Sequence, residues 1–217
     1  MIESFRAPLI AALFAGLLGS ASAQDAPAER AAPAEEAPTV AKVGDAAPDF
    51  ALKDTEGQAH KLSDLTKAGK IVVLEWFNPD CPVSKAYHAP ERSMKTVAQE
   101  LATRDVVWLA VNSGAAGLQG AGVERNRQAL KEFEMAYPVL MDEDGKVGRL
   151  YGARTTPHMY VIGKDGKLAY AGAIDDGSPR AKGKVNYVRD AVLALKDGKD
   201  VAVKEAKPFG CSVKYAN

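Results

Sequence analysis

The sequence lacks an excess of charge of either sign, and it contains few cysteines. Its 28 basic and 28 acidic residues give a formal net charge of zero, so it has no basic excess of the kind that a nucleic-acid-binding surface needs. The balance also gives no reason to expect attraction to a membrane surface. Cys81 and Cys211 are the only two cysteines, which allows at most one disulfide within the chain.

The N-terminus carries an apolar run, but that run is too short to span a bilayer comfortably. Residues 1–23 place Arg6 before the run at residues 7–19 and end in Ala21-Ser22-Ala23, which is the order of a secretory signal peptide. We predict cleavage after Ala23, export to the periplasm and no membrane anchor thereafter; the alternative is an uncleaved anchor. Because no cysteine follows the cleavage site, a lipoprotein is not expected.

The rest of the chain divides into three segments. Residues 24–41 are rich in Ala, Pro and Glu and cannot bury enough apolar surface to fold, so we predict a disordered linker. Residues 42–205 alternate strand and helix patterns and are predicted to form one α/β domain. Residues 206–217 form a C-terminal tail that carries Cys211.

The domain pattern predicts a mixed sheet with helices. Residues 47–65 predict a hairpin that ends with Leu62 and Leu65 in its second strand, and residues 70–77 predict a central strand buried on both faces. Apolar residues spaced by three and four in segment 83–101 predict one helix, kinked at Pro90. Since α/β proteins bind and react at the carboxyl ends of parallel strands, the residues that follow the central strand are the candidate site.

Cys81 lies at this strand end, where a helix is predicted to begin. Free N–H groups and the helix dipole favour a thiolate at that position, and Lys85 one turn later adds to the effect. Asp80, directly before Cys81, opposes it. A nucleophilic cysteine is often followed three residues later by a second cysteine, but here that residue is Ser84, which cannot release a substrate from a mixed disulfide.

Four segments in the expected order resemble one family. The stretch VVLEWFNPDC followed by P-V-S is similar to the active-site strand and turn of the thioredoxin superfamily. Residues 151–172, which include Thr156-Pro157, resemble the segment that carries the family's cis-proline. Residues 43–65 resemble the N-terminal hairpin of the redoxin branch, which includes alkyl hydroperoxide reductase and thiol-specific antioxidant proteins, and the tail KPFGCSVKY resembles the ending of a peroxiredoxin-like subgroup.

This resemblance implies a thioredoxin fold, with a central mixed β-sheet flanked by helices, an N-terminal β-hairpin extension and a C-terminal tail. It implies that Cys81 is the nucleophile and that Glu75 is the buried acid that assists proton transfer. It also places Thr156, Pro157 and Ser84 at the substrate-binding groove. Two alternatives stay open, since Glu75 also fits a structural ion pair and the Thr156-Pro157 bond also fits an ordinary trans turn.

Cys211 is the candidate second thiol, because Ser84 cannot play that part. The alternatives are resolution by an external thiol and a Cys81–Cys211 disulfide that only stabilises the fold. His88 and His158 are expected to be surface or capping residues, and no metal or cofactor is predicted.

The sequence thus predicts an exported thiol-disulfide oxidoreductase that acts on a protein disulfide, a small thiol or a peroxide and depends on an external thiol reductant. No nucleic-acid partner is expected. One alternative is a thiol peroxidase, although the chain lacks the P-x-x-x-T-x-x-C pattern of classical peroxiredoxins. The other is a non-catalytic binding module with a structural disulfide.

Overall fold

The computed structural model describes residues 40–90, 94–102, 105–178, 180–181 and 183–216. The predicted signal peptide and nearly all of the predicted linker lie outside these ranges. Nine strands and six helices occur in the described part, and their order along the chain is β1 (Ala51–Asp54), β2 (Ala59–Lys61), α1 (Leu62–Lys67), β3 (Ile71–Trp76), α2 (Pro82–His88), α3 (Met94–Leu101), β4 (Val106–Asn112), α4 (Val123–Glu132), β5 (Val139–Met141), α5 (Lys146–Tyr151), β6 (Thr155–Thr156), β7 (His158–Ile162), β8 (Leu168–Gly172), α6 (Tyr187–Lys196) and β9 (Cys211–Ser212).

Seven of the strands form one mixed sheet in the order β2-β1-β5-β4-β3-β7-β8. Strand β3 runs parallel to β4 and antiparallel to β7. All six residues of β3 are buried, as a near-continuous apolar strand in the middle of a sheet requires. The predicted fold class, a central mixed sheet flanked by helices, is confirmed.

Alternate residues of β3 point into two separate cores, one on each face of the sheet. Ile71 and Val73 pack in the core that receives side chains from α3 and α6. Leu74 and Trp76 pack in the opposite core with side chains from α1 and α5. No helix within the described ranges is both long and apolar enough to cross a membrane.

Two local predictions differ from the structure. Leu62 and Leu65 lie in α1 rather than in the second strand of a hairpin, and Leu62 is buried while the Asp49 carboxylate accepts a hydrogen bond from the Ser63 amide. The predicted single helix stops at His88 instead of bending. Ala89 has extended backbone angles because a residue before proline is driven out of the helical region, and α3 begins at Met94.

The C-terminal tail adds an element that was not predicted from the sequence. Strand β9 pairs antiparallel with β6 in a separate two-stranded sheet, with Cys211 opposite Thr156 and Ser212 opposite Thr155. Beyond β9, the Val213 amide donates to the Arg154 carbonyl at 3.1 Å. The last described residues are therefore laid along the segment that leads into β7.

Candidate active site

Cys81 is fixed by the turn that joins β3 to α2. Its amide donates to the Asn78 carbonyl at 3.1 Å, and the Asn78 side chain accepts a hydrogen bond from the Asp80 amide at 2.8 Å. Cys81 is the N-cap residue of α2 and Pro82 is the first helical residue, where the missing N–H of proline costs nothing. The side chain of Cys81 thus lies at the helix end whose free N–H groups favour negative charge.

A disulfide joins Cys81 to Cys211, with 6.0 Å between the two Cα atoms. The two halves of this bridge differ in access, because Cys81 is completely buried and Cys211 is only partly buried. The structure therefore brings together the two cysteines that the sequence could not place relative to each other. A bridge of this kind suits either a redox pair or a structural link.

The Thr156–Pro157 peptide bond is cis and lies against the disulfide. The Thr156 carbonyl oxygen is 3.1 Å from Cys81 Sγ, and because a disulfide sulfur carries no proton, this is a close contact rather than a hydrogen bond. Thr156 is also the partner of Cys211 in the β6–β9 pair. One residue thus touches both halves of the bridge.

A groove of about 210 Å³ opens beside Pro157. Its walls include the aromatic residues Tyr187 and Phe209 and the acidic residue Asp176. Phe209 is 58% exposed, which is unusual for so large an apolar side chain. The groove extends the surface next to the disulfide toward the segment that precedes Cys211.

Glu75 is buried in β3 and is held by three side chains. His88 Nε2 lies 2.8 Å from Oε1, while the Tyr137 hydroxyl and the Trp108 indole donate to Oε2 at 2.9 and 3.3 Å. Burial first, and the charge of Glu75 second, raise the pKa of Tyr137 well above its ordinary value, so this hydroxyl stays protonated as a donor. Glu75 is therefore part of a buried polar cluster on β3, the strand that leads to Cys81.

The predictions for the two histidines are wrong. His88 is buried against Glu75, and its Nδ1 has no partner among the described residues. His158 follows Pro157 and is also buried, with Nδ1 3.0 Å from the Tyr160 hydroxyl. Burial first, and the charge of Arg154 second, lower the pKa of His158 to about 4. Both side chains point inward, because all residues of β7 are buried and the face of α2 that carries His88 is turned toward Glu75.

Ser84 is completely buried one turn into α2, and its hydroxyl has no partner within the described ranges. It occupies the helix position that a second cysteine takes in the thioredoxin pattern. No group of three His, Cys, Asp or Glu side chains that would hold a metal ion occurs in the described part of the chain.

Arg125 is the residue near the site that sequence reasoning missed. Its guanidinium binds the Asp80 carboxylate through Nε at 3.1 Å and Nη2 at 2.8 Å. This hydrogen-bonded pair lowers the pKa of Asp80. The negative charge before Cys81 is therefore balanced by α4, which is 45 residues away in sequence, and no local pattern signals such a pairing.

Comparison with known proteins adds an independent observation to this geometry. Residues 43–171, more than half of the chain, match the AhpC/TSA family. The chain belongs to the AhpC/TSA family. This confirms the predicted thioredoxin-like redoxin assignment, and the matched segment contains Glu75, Cys81 and Thr156-Pro157 but stops before Cys211.

Relatives of this AhpC/TSA protein agree with the predicted class of thiol-disulfide oxidoreductase. It is 31% identical over 130 residues to thiol-disulfide oxidoreductase ResA of Geobacillus thermodenitrificans. The matched residues make up 60% of this chain and 68% of that protein. An uncharacterised conserved protein from Geobacillus kaustophilus superposes with a TM-score of 0.73 at 28% identity, covering 81% of this chain and 93% of the other. A hypothetical protein from Sinorhizobium meliloti superposes with a TM-score of 0.73 at 25% identity, covering 82% of this chain and 97% of the other.

Proposed function

We propose that this protein is an exported thiol-disulfide oxidoreductase in which Cys81 is the nucleophile and Cys211 is the second thiol. The observation that supports it best is the contact of one disulfide with a cis-proline segment at the end of the central strand. Both the helix start at Cys81 and the position of this site on the sheet suit a reactive thiolate. The ResA relative supports the same class of reaction.

The proposed reaction is two successive exchanges. The Cys81 thiolate attacks one sulfur of a substrate disulfide, so that one substrate thiolate leaves and a mixed disulfide forms. The Cys211 thiolate then attacks Cys81 Sγ, which expels the second substrate thiolate and forms the observed bridge. Cys211 thereby does what Ser84 cannot, and two electrons pass from the protein to the substrate.

An external thiol returns the protein to the reduced state. Because Cys81 is completely buried and Cys211 is partly exposed, the incoming thiolate has access to Cys211 Sγ, and Cys81 leaves as the thiolate. Access decides which sulfur of a disulfide is attacked. The first mixed disulfide with the reductant therefore forms on Cys211. A second reductant thiolate then attacks the reductant sulfur of this mixed disulfide, so that Cys211 leaves as the thiolate and the reductant departs as its own disulfide.

Glu75 assists proton transfer in this proposal, and it does so with His88. The carboxylate is held by His88, Trp108 and Tyr137, so a proton that reaches or leaves it can pass through the imidazole, whose second nitrogen has no partner within the described ranges. Pro157 lines the groove and is proposed to shape the surface that the substrate meets, while Thr156 and Ser84 are buried and are proposed to support that surface from within.

The deciding experiment follows single turnovers with an oxidised model substrate. We expect Cys81→Ser to abolish exchange and Cys211→Ser to stall as a mixed disulfide on Cys81, detected by mass spectrometry. Adding Ser84→Cys to the Cys211→Ser variant supplies a thiol at the position of the thioredoxin pattern and should release the substrate. Exchange by Cys81→Ser at the wild-type rate would contradict the proposal.

A thiol peroxidase is the second candidate, and the AhpC/TSA match is the observation that favours it. Peroxide would oxidise the Cys81 thiolate to a sulfenic acid with release of water or an alcohol, and Cys211 would condense with it and release water. Peroxide consumption that Cys81→Ser loses, with insulin-disulfide exchange absent in wild type, would favour this candidate. A bridge that resists strong reductant until the protein unfolds would favour a structural disulfide instead.

A further inference from the structure

The tail lies against the cis-proline segment as an extended peptide. Cys211 pairs with Thr156 in the β6–β9 sheet, the Val213 amide donates to Arg154 at 3.1 Å, and the Ala115 amide donates to the Lys214 carbonyl at 2.8 Å. Backbone pairing of an extended segment with a free strand edge is a general mode of peptide recognition. The tail therefore has the geometry of a bound peptide whose cysteine is bonded to Cys81.

Glycine at position 210 is required by the fit of this peptide. A Cβ atom at Gly210 would lie 2.2 Å from the Thr156 carbonyl oxygen and 3.1 Å from the Pro157 nitrogen. Both are backbone atoms of the cis-proline segment, so no flexible side chain can move aside. Any larger residue directly before the bonded cysteine would push the peptide away from the strand edge.

Side chains further along the tail show which other features the edge accepts. Val213 is partly buried and packs against the core that contains Trp76, whereas Ser212 is exposed. This alternation is that of an extended strand with one face toward the protein. The tail thus presents to this edge a glycine before the cysteine and an apolar side chain two residues after it.

We propose that β6 is a docking edge for extended peptides in which a glycine precedes the reactive cysteine, and that the chain's own tail fills this edge. This inference rests on the proposed nucleophile Cys81 and goes further by naming the class of substrate. The tail is tethered, so its local concentration is of millimolar order, and a separate peptide meets a filled edge until the tail is displaced.

The test compares two peptides on two proteins. The peptides are KPFGCSVKYA and KPFVCSVKYA, each carrying thionitrobenzoate on its cysteine. The proteins are Cys211→Ser, in which the tail stays docked without the bridge, and Cys211→Ser combined with Gly210→Val, in which the tail is displaced. The Cys81 thiolate attacks the peptide sulfur, thionitrobenzoate leaves, and its absorbance gives the rate.

The double variant is expected to react about tenfold faster with the glycine peptide than with the valine peptide. Cys211→Ser alone should react slowly with both peptides, with a ratio near one. Equal rates of the two peptides on the double variant would overturn the inference. Circular dichroism checks folding, and Tyr215→Ala in the Cys211→Ser protein, which removes the hydroxyl bond to the Ala153 carbonyl, is a second way to loosen the tail if Gly210→Val does not fold.

A small disulfide separates failure of the inference from failure of the proposed function. Ellman's reagent reacts with any accessible Cys81 thiolate and does not need the docking edge. If it labels Cys81 while the two peptides react alike, the docking edge is wrong and the nucleophile stands. If it does not label Cys81 in either protein, both proposals fail.

Discussion

The two halves of the disulfide belong to very different surroundings. Cys81 follows β3, which has a strand on each side and no exposed residue, and it is positioned by a short turn. Cys211 lies in a two-residue strand with β6 as its partner, in a sheet separate from the main one. The comparison shows that the domain core fixes the nucleophile, whereas a few backbone hydrogen bonds and the bridge itself hold the tail. Such a division is what a nucleophile with a detachable second thiol requires.

Removal of the bridge has the largest expected effect and tests the tail side of the comparison. Cys211→Ser opens a link between residues 130 positions apart, and the chain-entropy model assigns such a loop about 5 kcal/mol. Compared with oxidised wild type, we expect this variant to lose up to about 5 kcal/mol in its free energy of unfolding, measured by denaturant titration.

Wild type in excess reductant is the matched control for this variant. Both proteins then lack the bridge, so their unfolding curves should coincide within about 0.5 kcal/mol, as expected for a surface substitution. A large difference that persists in reductant would mean that Cys211 stabilises the tail by packing rather than by its bond to Cys81.

The core side of the comparison is tested at Glu75. Glu75→Ala leaves His88, Trp108 and Tyr137 without their shared acceptor, and removal of one partner from a buried polar cluster typically costs about 3 to 5 kcal/mol. We expect a loss of about 4 kcal/mol in the free energy of unfolding, measured by the same titration under reducing conditions, where the bridge does not contribute.

Glu75→Gln is the conservative counterpart, because its amide oxygen still accepts from Tyr137 and Trp108. It should cost about 1 kcal/mol and yet slow the exchange reaction of Cys81 by about a hundredfold if the carboxyl group transfers a proton. A stable Glu75→Gln protein with wild-type exchange kinetics would restrict Glu75 to a structural role.

The sequence predicted the core half of this comparison better than the tail half. Cys81, Glu75 and Thr156-Pro157 belong to a strand, a turn and a loop whose local patterns are informative. The strand pairing of Cys211 was not predictable, because β9 has two residues and pairs with a segment 55 residues away. His88 was misplaced for a related reason, since a polar residue on a helix face gives no sign of a buried carboxylate that accepts from it.

His158 lies where the two regions meet, directly after Pro157, and its titration should appear in the stability of the protein. Its pKa is lowered to about 4 in the folded chain from an ordinary 6.5, so between these values the unfolded chain binds a proton that the folded chain does not. Above about pH 6.5 His158 is neutral in both states and does not reduce the free energy of unfolding. As the pH drops from about 6.5 to about 4, the free energy of unfolding falls by at most about 3 kcal/mol because of this group.

His158→Asn keeps an acceptor near the position of Nδ1 but does not titrate in this range. The difference in unfolding free energy between wild type and variant should therefore be constant above pH 7 and shrink by about 2 to 3 kcal/mol on acidification to pH 4. A difference that is independent of pH would show that His158 does not stay neutral in the folded protein.

The Asp80–Arg125 pair gives the smallest effect and sharpens the account of Cys81. Arg125 balances the carboxylate that directly precedes the nucleophile, so Arg125→Gln leaves that carboxylate with the longer ion pair to Lys85, at 3.8 Å, and makes the surroundings of the thiolate more negative. At a separation of several ångströms in a partly solvated site, this should raise the pKa of the Cys81 thiol by about half to one unit. The rate of alkylation by iodoacetamide, followed against pH in a Cys211→Ser background, measures that shift.

Two further variants make this measurement specific. Asp80→Asn combined with Arg125→Gln removes both charges and should return the thiol pKa close to that of the starting protein. Arg127→Gln removes a charge from the same helix whose partners are Glu56 and Glu124, and it should leave the thiol unchanged. If Arg125→Gln and Arg127→Gln shift the pKa equally, the thiolate responds to net charge alone, and the paired carboxylate beside Cys81 has no special part in setting its reactivity.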